Sequence, residues 1–348
     1  MKDLTISSKK TIRHAMKFLS KTAEQCLFVI DKNGKLLGTI TDGDIRRGIL
    51  EGINNNELVE KVYFRNPTVI REENFNLSVI KKILVEKELN ILPILDEKNK
   101  IKKYITWREI FGQKKRKKKL ADFAVVIMAG GRGTRLEPFT RVLPKPLVPV
   151  KDKPIIEHII EKFTDVGVKK FFITVNYKSR ILKSYFQELQ PNYSIKFIDE
   201  LKPLGTAGGL KFLKDKIKSP ILVTNCDIIV NADYNDLYNF HKKNKFDLTL
   251  VASAKEYVVP YGICQLNKSG HLLKIQEKPK YNFLANTGLY VVNPKLLSII
   301  PKNKLYHMTD LIKGVRKRKM RIGVYPVNDE EWFDIGQWTE YRKTIEKL

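Results

Sequence analysis

The run Phe123-Ala-Val-Val-Ile-Met128 passes without a break into Ala129-Gly-Gly-Arg-Gly-Thr-Arg-Leu136. A short, continuously apolar segment reads as a strand buried on both faces of a parallel sheet. Glycines directly after it let backbone amides approach a phosphate, because no Cβ stands in the way. Arg132 and Arg135 add positive charge at the same turn. This combination points to an α/β fold with an anion-handling loop at the carboxyl end of a strand. Spacing excludes two common glycine loops. A P-loop needs Lys-Ser/Thr after its last glycine, and none follows here. The dinucleotide fingerprint GxGxxG fits at Gly131 and Gly133, but Leu136 stands where its third glycine belongs.

The next segment holds Lys145 between Pro144 and Pro146. Proline fixes its own φ and restricts the residue before it, so this lysine is pre-positioned. A fixed ammonium suits a point-charge contact to a triphosphate. Taken whole, GGRGTRLEPFTRVLPKPLVPVKDKP resembles the signature of the sugar-phosphate nucleotidyltransferases. Further strings match in that family's order over about residues 122–340.

The resemblance implies a Rossmann-like, mixed and mostly parallel sheet. It also implies roles for individual residues. Ala129, Gly130, Gly131, Gly133 and Thr134 would hold the nucleotide, with Gly205 and Thr206 of Pro203-Leu-Gly-Thr-Ala-Gly-Gly209 at the base and ribose. Asn225-Cys-Asp227 at the end of a strand resembles the metal-binding step, with Cys226 where the family usually has glycine. Phe333-Asp-Ile-Gly336 supplies a second ligand, Asp334. Tyr261, Gly262, Glu277, Lys278, Asn286 and Thr287 match the sugar-phosphate pocket.

The implied reaction joins a nucleoside triphosphate to a sugar 1-phosphate and releases pyrophosphate. Its nucleophile is already an anion, so the task is to align two polyanions and absorb charge. Arg135, Lys145, Lys278 and a Mg2+ ion on Asp227 and Asp334 would supply the cations. Glu200 precedes Gly205 by five residues, at the family position that faces the base. Members that use uracil or thymine often carry glutamine there. Guanine presents two adjacent donors that one carboxylate can accept, so Glu200 favours GTP over UTP, dTTP or CTP.

Residues 1–112 contain an internal repeat. Cys26–Arg46 and Ile91–Ile110 each read as strand, polar turn, strand, and a helical stretch precedes each hairpin. This αββα repeat resembles a tandem pair of cystathionine-β-synthase-type (CBS) modules, about 1–60 and 61–112. In that family such pairs often bind adenine nucleotides, and the ligand positions would be Gly38, Thr41 and Asp44. The second copy has Lys103 for the glycine and Glu109 for the aspartate, which leaves at most one competent nucleotide site. A purely packing or dimerising module is the alternative. A CBS pair ahead of a transferase also resembles guanylyltransferases that make GDP-glucosamine for nonulosonic acids, which points to glucosamine 1-phosphate.

The 348-residue chain has a formal net charge of +27. That surplus favours anionic partners without choosing among them. The six basic residues Lys114–Lys119 cannot form a core and read as a solvated linker, 113–120, before a transferase domain at 121–348. No aromatic residues interleave with them and no base-reading motif occurs, so nucleic acid is disfavoured as a partner. Three widely spaced cysteines form neither a disulfide framework nor a zinc site. No apolar run is long enough for a membrane helix, and the first ten residues lack a signal-peptide core. The expectation is a cytoplasmic, homo-oligomeric enzyme. A nucleotide-sensing protein with an inactive transferase domain is the competing reading.

Overall fold

A computed structural model describes residues 3–22, 26–87, 89–106, 109–110, 123–338 and 341–342. The basic run lies outside the described residues. The chain divides into two compact units. One holds the described residues up to 110 together with Ala254–Phe283, and the other holds the rest from 123 onward.

The first unit is built from two similar three-stranded sheets. In one, β1 (Thr5–Ser7) runs parallel to β2 (Cys26–Ile30), and β2 pairs antiparallel with β3 (Leu36–Thr41). In the other, β4 (Ile70–Arg71), β5 (Ile91–Leu95) and β6 (Ile101–Thr106) repeat that arrangement. The helix Ile12–Thr22 places Ile12, Ala15, Met16 and Leu19 on one face and buries them against the first sheet. The helix Leu77–Glu86 does the same for the second with Ile80 and Leu84.

The first repeat thus holds the αββα read from the sequence with one further short strand ahead of it, and the second repeats the βαββ part of that order. The missed β1 and β4 are three and two residues long, too short to show alternation. Both hairpin turns close on an aspartate. Asp31 Oδ1 accepts the amides of Asn33 and Lys35, each at 2.8 Å. Asp96 Oδ1 accepts those of Lys98 at 2.9 Å and Lys100 at 2.8 Å. The repeats share a core, where Tyr104 meets Phe28 with ring centroids 5.7 Å apart. Phe64, beyond the expected boundary near 60, exchanges both backbone hydrogen bonds with Thr39 of the first repeat.

In the second unit a seven-stranded sheet runs β11-β10-β7-β12-β17-β14-β18. Its parallel half comprises β7 (Val125–Met128), β10 (Lys170–Val175), β11 (Ser194–Asp199) and β12 (Ile221–Asn225). The short hairpin β8 (Pro149–Val150) and β9 (Lys153–Pro154) lies between β7 and β10 in the chain. β13 (Ile228–Val230) pairs antiparallel with β19 (Trp332–Asp334) outside the main sheet. β14 (Leu248–Val258) and β17 (Lys280–Val292) flank the hairpin β15 (Ile263–Leu266) and β16 (Leu272–Gln276), and β18 spans Ile322–Asn328. β17 pairs antiparallel with β12.

β7 is buried on both faces, as its unbroken apolar run requires. Val125 and Ile127 join the core beneath the helix Ile155–Thr164, whose Ile156, Ile159, Ile160 and Phe163 point inward. Val126 and Met128 join the opposite core with Leu311 and Val315 of the helix Met308–Lys317. From β7 the chain builds outward to β10 and β11, then returns to place β12 on the other side of β7. The strand order reverses there, which opens a crevice beyond the carboxyl ends of β7 and β12.

His241 tests this packing. It is 1% exposed, its Nδ1 meets Thr249 Oγ1 at 2.9 Å, and its Nε2 has no hydrogen-bond partner. Burial pushes its pKa down from 6.5 to about 4, against the pull of Asp247. In that window the unfolded chain binds a proton that the folded chain refuses, so stability is lost as pH falls from 6.5 toward 4. Denaturant midpoints measured across this range should fall for the wild type and fall less steeply for His241→Asn.

Candidate active site

The glycine turn begins where β7 ends. The Ala129 amide donates to the Thr174 carbonyl at 3.0 Å and to Thr174 Oγ1 at 3.3 Å, which fixes the exit of the strand. Gly131 has open space around it, so its backbone is accessible. Gly133 adopts φ 70°, and a Cβ there would stand 2.8 Å from Lys145 Cβ. Thr140 Oγ1 donates to the Gly133 carbonyl at 3.0 Å. The turn is therefore packed directly against Lys145. Thr134 and Arg135 follow in a single 3-10 turn, both exposed.

Lys145 is 9% exposed and forms an ion pair with Asp227 Oδ2. Burial alone would lower the lysine pKa, but the facing Asp227 carboxylate outweighs it and holds the pKa above the ordinary value. Asp227 follows β12, and its carbonyl accepts the Ile335 amide at 2.8 Å. Asp334 closes β19 opposite Ile228, and its Oδ1 accepts the Gly336 amide at 2.8 Å. Burial pushes the Asp334 carboxyl up, and the nearby Asp227 charge adds to that.

Gly336 lies beside both carboxylates. A Cβ there would stand 2.4 Å from Asp227 Oδ2 and 3.0 Å from Asp334 Oδ1. Among the described residues no group of three or more His, Cys, Asp or Glu side chains gathers to hold a metal. Two carboxylates are the donor set that magnesium takes when phosphate oxygens and water complete its shell. Cys226, between Asn225 and Asp227, is buried with its thiol pushed up to about 12 by desolvation, so it is an inert filler.

Glu200 follows β11 and is 5% exposed. Its Oε2 accepts the Leu204 amide at 3.1 Å, while its Oε1 is buried without a hydrogen-bond partner. Burial pushes its pKa up, partly offset by the Leu204 amide and the nearby Thr174 hydroxyl. Two glycines make room for it. A Cβ at Gly209 would be 2.3 Å from Oε1, and one at Gly130 would be 3.0 Å from Oε2. Asn176 Nδ2 donates to the Glu200 carbonyl at 2.6 Å and fixes the backbone. Thr174 and Asn176 were not singled out in the sequence. A threonine inside the apolar run of β10 was the available signal.

Other expected residues have structural partners. Thr206 Oγ1 accepts the Met308 amide at 2.9 Å and so anchors the start of a helix. Gly205 has φ 80° and sits 2.8 Å, measured from an added Cβ, from the Tyr306 carbonyl. Thr287 is buried and donates to the Val251 carbonyl at 2.8 Å. Asn286 donates to Tyr290 OH at 2.7 Å. Tyr261, Gly262, Glu277 and Lys278 belong to the other compact unit, where an added Gly262 Cβ would stand 2.9 Å from Glu277 Oε2.

In the first repeat, Thr41 and Asp44 form a capping box for the helix Asp42–Leu50, with Thr41 Oγ1 donating to Asp44 Oδ2 at 2.7 Å. The remaining Asp44 oxygen pairs with Arg47. Gly38 is required by packing, since a Cβ would meet the Phe64 carbonyl at 2.2 Å. Glu109 makes the same cap as Asp44, accepting the Thr106 amide at 2.7 Å and its hydroxyl at 2.9 Å. A cavity of about 540 Å³ nearby is lined by Leu37, Tyr63 and Arg65, among others, and by none of Gly38, Thr41 and Asp44.

A glycine turn, a buried lysine and two carboxylates thus lie together at the switch point of an α/β sheet. The chain belongs to the nucleotidyl transferase family, whose model matches residues 124–348. The CBS domain model matches residues 1–51.

Among similar proteins are a mannose-1-phosphate guanyltransferase of Yarrowia lipolytica, 34% identical over 61% of this chain and 60% of its own, and one of Saccharomyces cerevisiae, 35% identical over 61% of each. The chain thus spans about three fifths of the length of these curated relatives. HddC from Yersinia pseudotuberculosis, solved in complex with GMP-PN, superposes with a TM-score of 0.51 at 27% identity, over 65% of this chain and 99% of that one. Among the described residues no helix is long and apolar enough to cross a membrane.

Proposed function

We propose that this chain transfers a guanylyl group from GTP to a sugar 1-phosphate, possessing in glucosamine 1-phosphate the leading candidate acceptor, and releases pyrophosphate. The observation that carries this reading is the meeting of Lys145, Asp227 and Asp334 beside the glycine turn at the switch point of the sheet. The similarity to guanyltransferases and to a structure solved with GMP-PN supports it.

In this reading a phosphate oxygen of the sugar attacks the α-phosphorus. A new P–O bond forms as the α–β bridge breaks, and the electron pair leaves on pyrophosphate. Amides of Gly130, Gly131, Gly133 and Thr134 hold the triphosphate. Arg135 and Lys145 offset the charge that builds on it. Asp227 and Asp334 would hold Mg2+, which when bound supplies further charge neutralisation. Asn286 and Thr287 would receive the sugar phosphate, chiefly through their backbone.

Glu200 would read the base. A buried carboxylate oxygen without a partner is costly, and the adjacent N1–H and 2-amino donors of guanine would satisfy it. Uracil and thymine offer only one such donor.

In the first unit an adenine nucleotide would bind near Gly38, Thr41 and Asp44, displacing the exposed Arg47 side chain from Asp44. The apolar and exposed Leu272, Leu273 and Ile275 of β16 support a homo-oligomer. The cytoplasm, where such triphosphates are made, is the fitting compartment.

Asp227→Asn should lower turnover at least about 100-fold in a pyrophosphate-release assay while the melting curve stays cooperative. Undiminished turnover would end the catalytic assignment. For the base, the wild type should prefer GTP over UTP, dTTP and CTP, and Glu200→Gln should erode that preference by about tenfold or more. Turnover with UTP or dTTP but none with GTP would end the guanine reading. Calorimetry of the full chain with AMP, ADP and ATP, at concentrations where sedimentation gives its mass, should show binding by an oligomer. No heat, or a monomer, would remove the corresponding proposal.

A further inference from the structure

A second concavity lies at the opposite end of the same sheet. Asp227 and the glycine turn follow the carboxyl ends of β12 and β7. This cavity is lined instead by residues that precede or begin those strands and β10, at their amino ends. It measures about 640 Å³, within the usual range for small-molecule sites. Phe123, Ile217 and Ile221 give it an apolar floor, and Lys169, Lys170, Lys216 and Lys218 stand around it with Ser219. Among the described residues, none that lines it is acidic.

Several lysines of this lysine-rich chain are ion-paired. Lys102, Lys145, Lys153, Lys183 and Lys295 each have a carboxylate partner. None of the four at the cavity forms an ion pair with a described residue, and only Lys170 has another charge-related contact, 5.5 Å above the Phe172 ring. They come from two separate segments, the turn before β10 and the connection before β12. Like charges gathered around a low-dielectric cleft repel one another and focus a positive potential into it. An entering anion relieves both. Ammonium groups on flexible stems suit phosphate oxygens, which accept from several directions.

We infer that this cavity binds a multiply charged phosphorylated small molecule, at a site distinct from the transfer site. A concave site of this volume favours a small molecule over a nucleic-acid strand, which needs an extended groove. The floor also lacks an exposed stacking ring, since Phe123 is 6% exposed. The phosphate chemistry is shared by inorganic polyphosphates and by nucleotides, whose ring or sugar would use the apolar floor.

The test is calorimetric titration of the full-length protein with tripolyphosphate, without divalent ions and at fixed ionic strength. Two independent double variants, Lys216→Gln with Lys218→Gln and Lys169→Gln with Lys170→Gln, remove opposite walls. Lys32→Gln with Lys35→Gln, at an exposed hairpin turn of the first unit and outside the cavity lining, removes the same charge as a control. One class of sites should weaken about tenfold or more in each wall variant and stay unchanged in the control. Repeating the titration with ADP and ATP separates the sources. Tighter binding of the nucleotides to that class assigns the floor to the nucleoside, and equal binding assigns the site to the phosphates alone. Isotherms unchanged in both wall variants would overturn the inference. So would an equal loss in the control, or a response of those lysines to single-stranded DNA but not to tripolyphosphate. Because the lysines lie outside the proposed transfer machinery, turnover in the wall variants should remain intact, and the result does not depend on which nucleotide is transferred.

Discussion

The ion pair between Lys145 and Asp227 is the constraint on which the active end of the transferase unit depends. Both side chains are only 11% exposed. Two charges taken out of water are costly, and each is tolerable only because the other faces it. The surrounding chain is arranged to hold them there. Pro144 and Pro146 stiffen the lysine side, while Gly133 lets the nucleotide turn press against its stem. On the other side the Ile335 amide fixes the Asp227 backbone, and Gly336 leaves room for its carboxylate. The pair thereby links three stretches of chain that are far apart in sequence. A phosphate arriving at the lysine and a cation arriving at the aspartate would together replace the interaction that each now has.

Glu200 illustrates a different balance. Its carboxylate is enclosed by glycines from two loops and receives one backbone amide. The second oxygen is buried without a hydrogen bond of good geometry, with the Thr174 hydroxyl near it. A site of this kind discriminates by what it leaves unsatisfied. A base that supplies the missing donor gains, and a base that does not leaves a buried acceptor bare.

Much of this was legible in the sequence because it depends on short-range pattern. The unbroken apolar run of β7 announced burial on both faces, and the glycines after it announced a turn at the carboxyl end of the strand. Order along the chain then singled out Lys145, Asp227 and Asp334 as candidates, although nothing in their spacing showed that they would meet. Their proximity depends on the strand order of the sheet and on the β13–β19 pairing, which are long-range facts. Thr206 and Thr287 looked like ligand contacts, but their hydroxyls are committed to backbone groups. Glu109 looked like a departure from the first repeat. Its longer side chain nonetheless reaches back to Thr106 and forms the same cap. A change of residue type hid a preserved hydrogen-bond pattern. The grouping of Ala254–Phe283 with the first unit had no signal at all in composition or periodicity.

The small residue next to Asp227 has one more implication. Cys226 is sealed in the core with a thiol that resists ionisation, and Cys26 is likewise buried and pushed up to about 12. Cys264, on the outer hairpin, is the exposed one. Peroxide or an alkylating reagent would therefore mark the periphery first and leave the centre of the transferase chemically untouched.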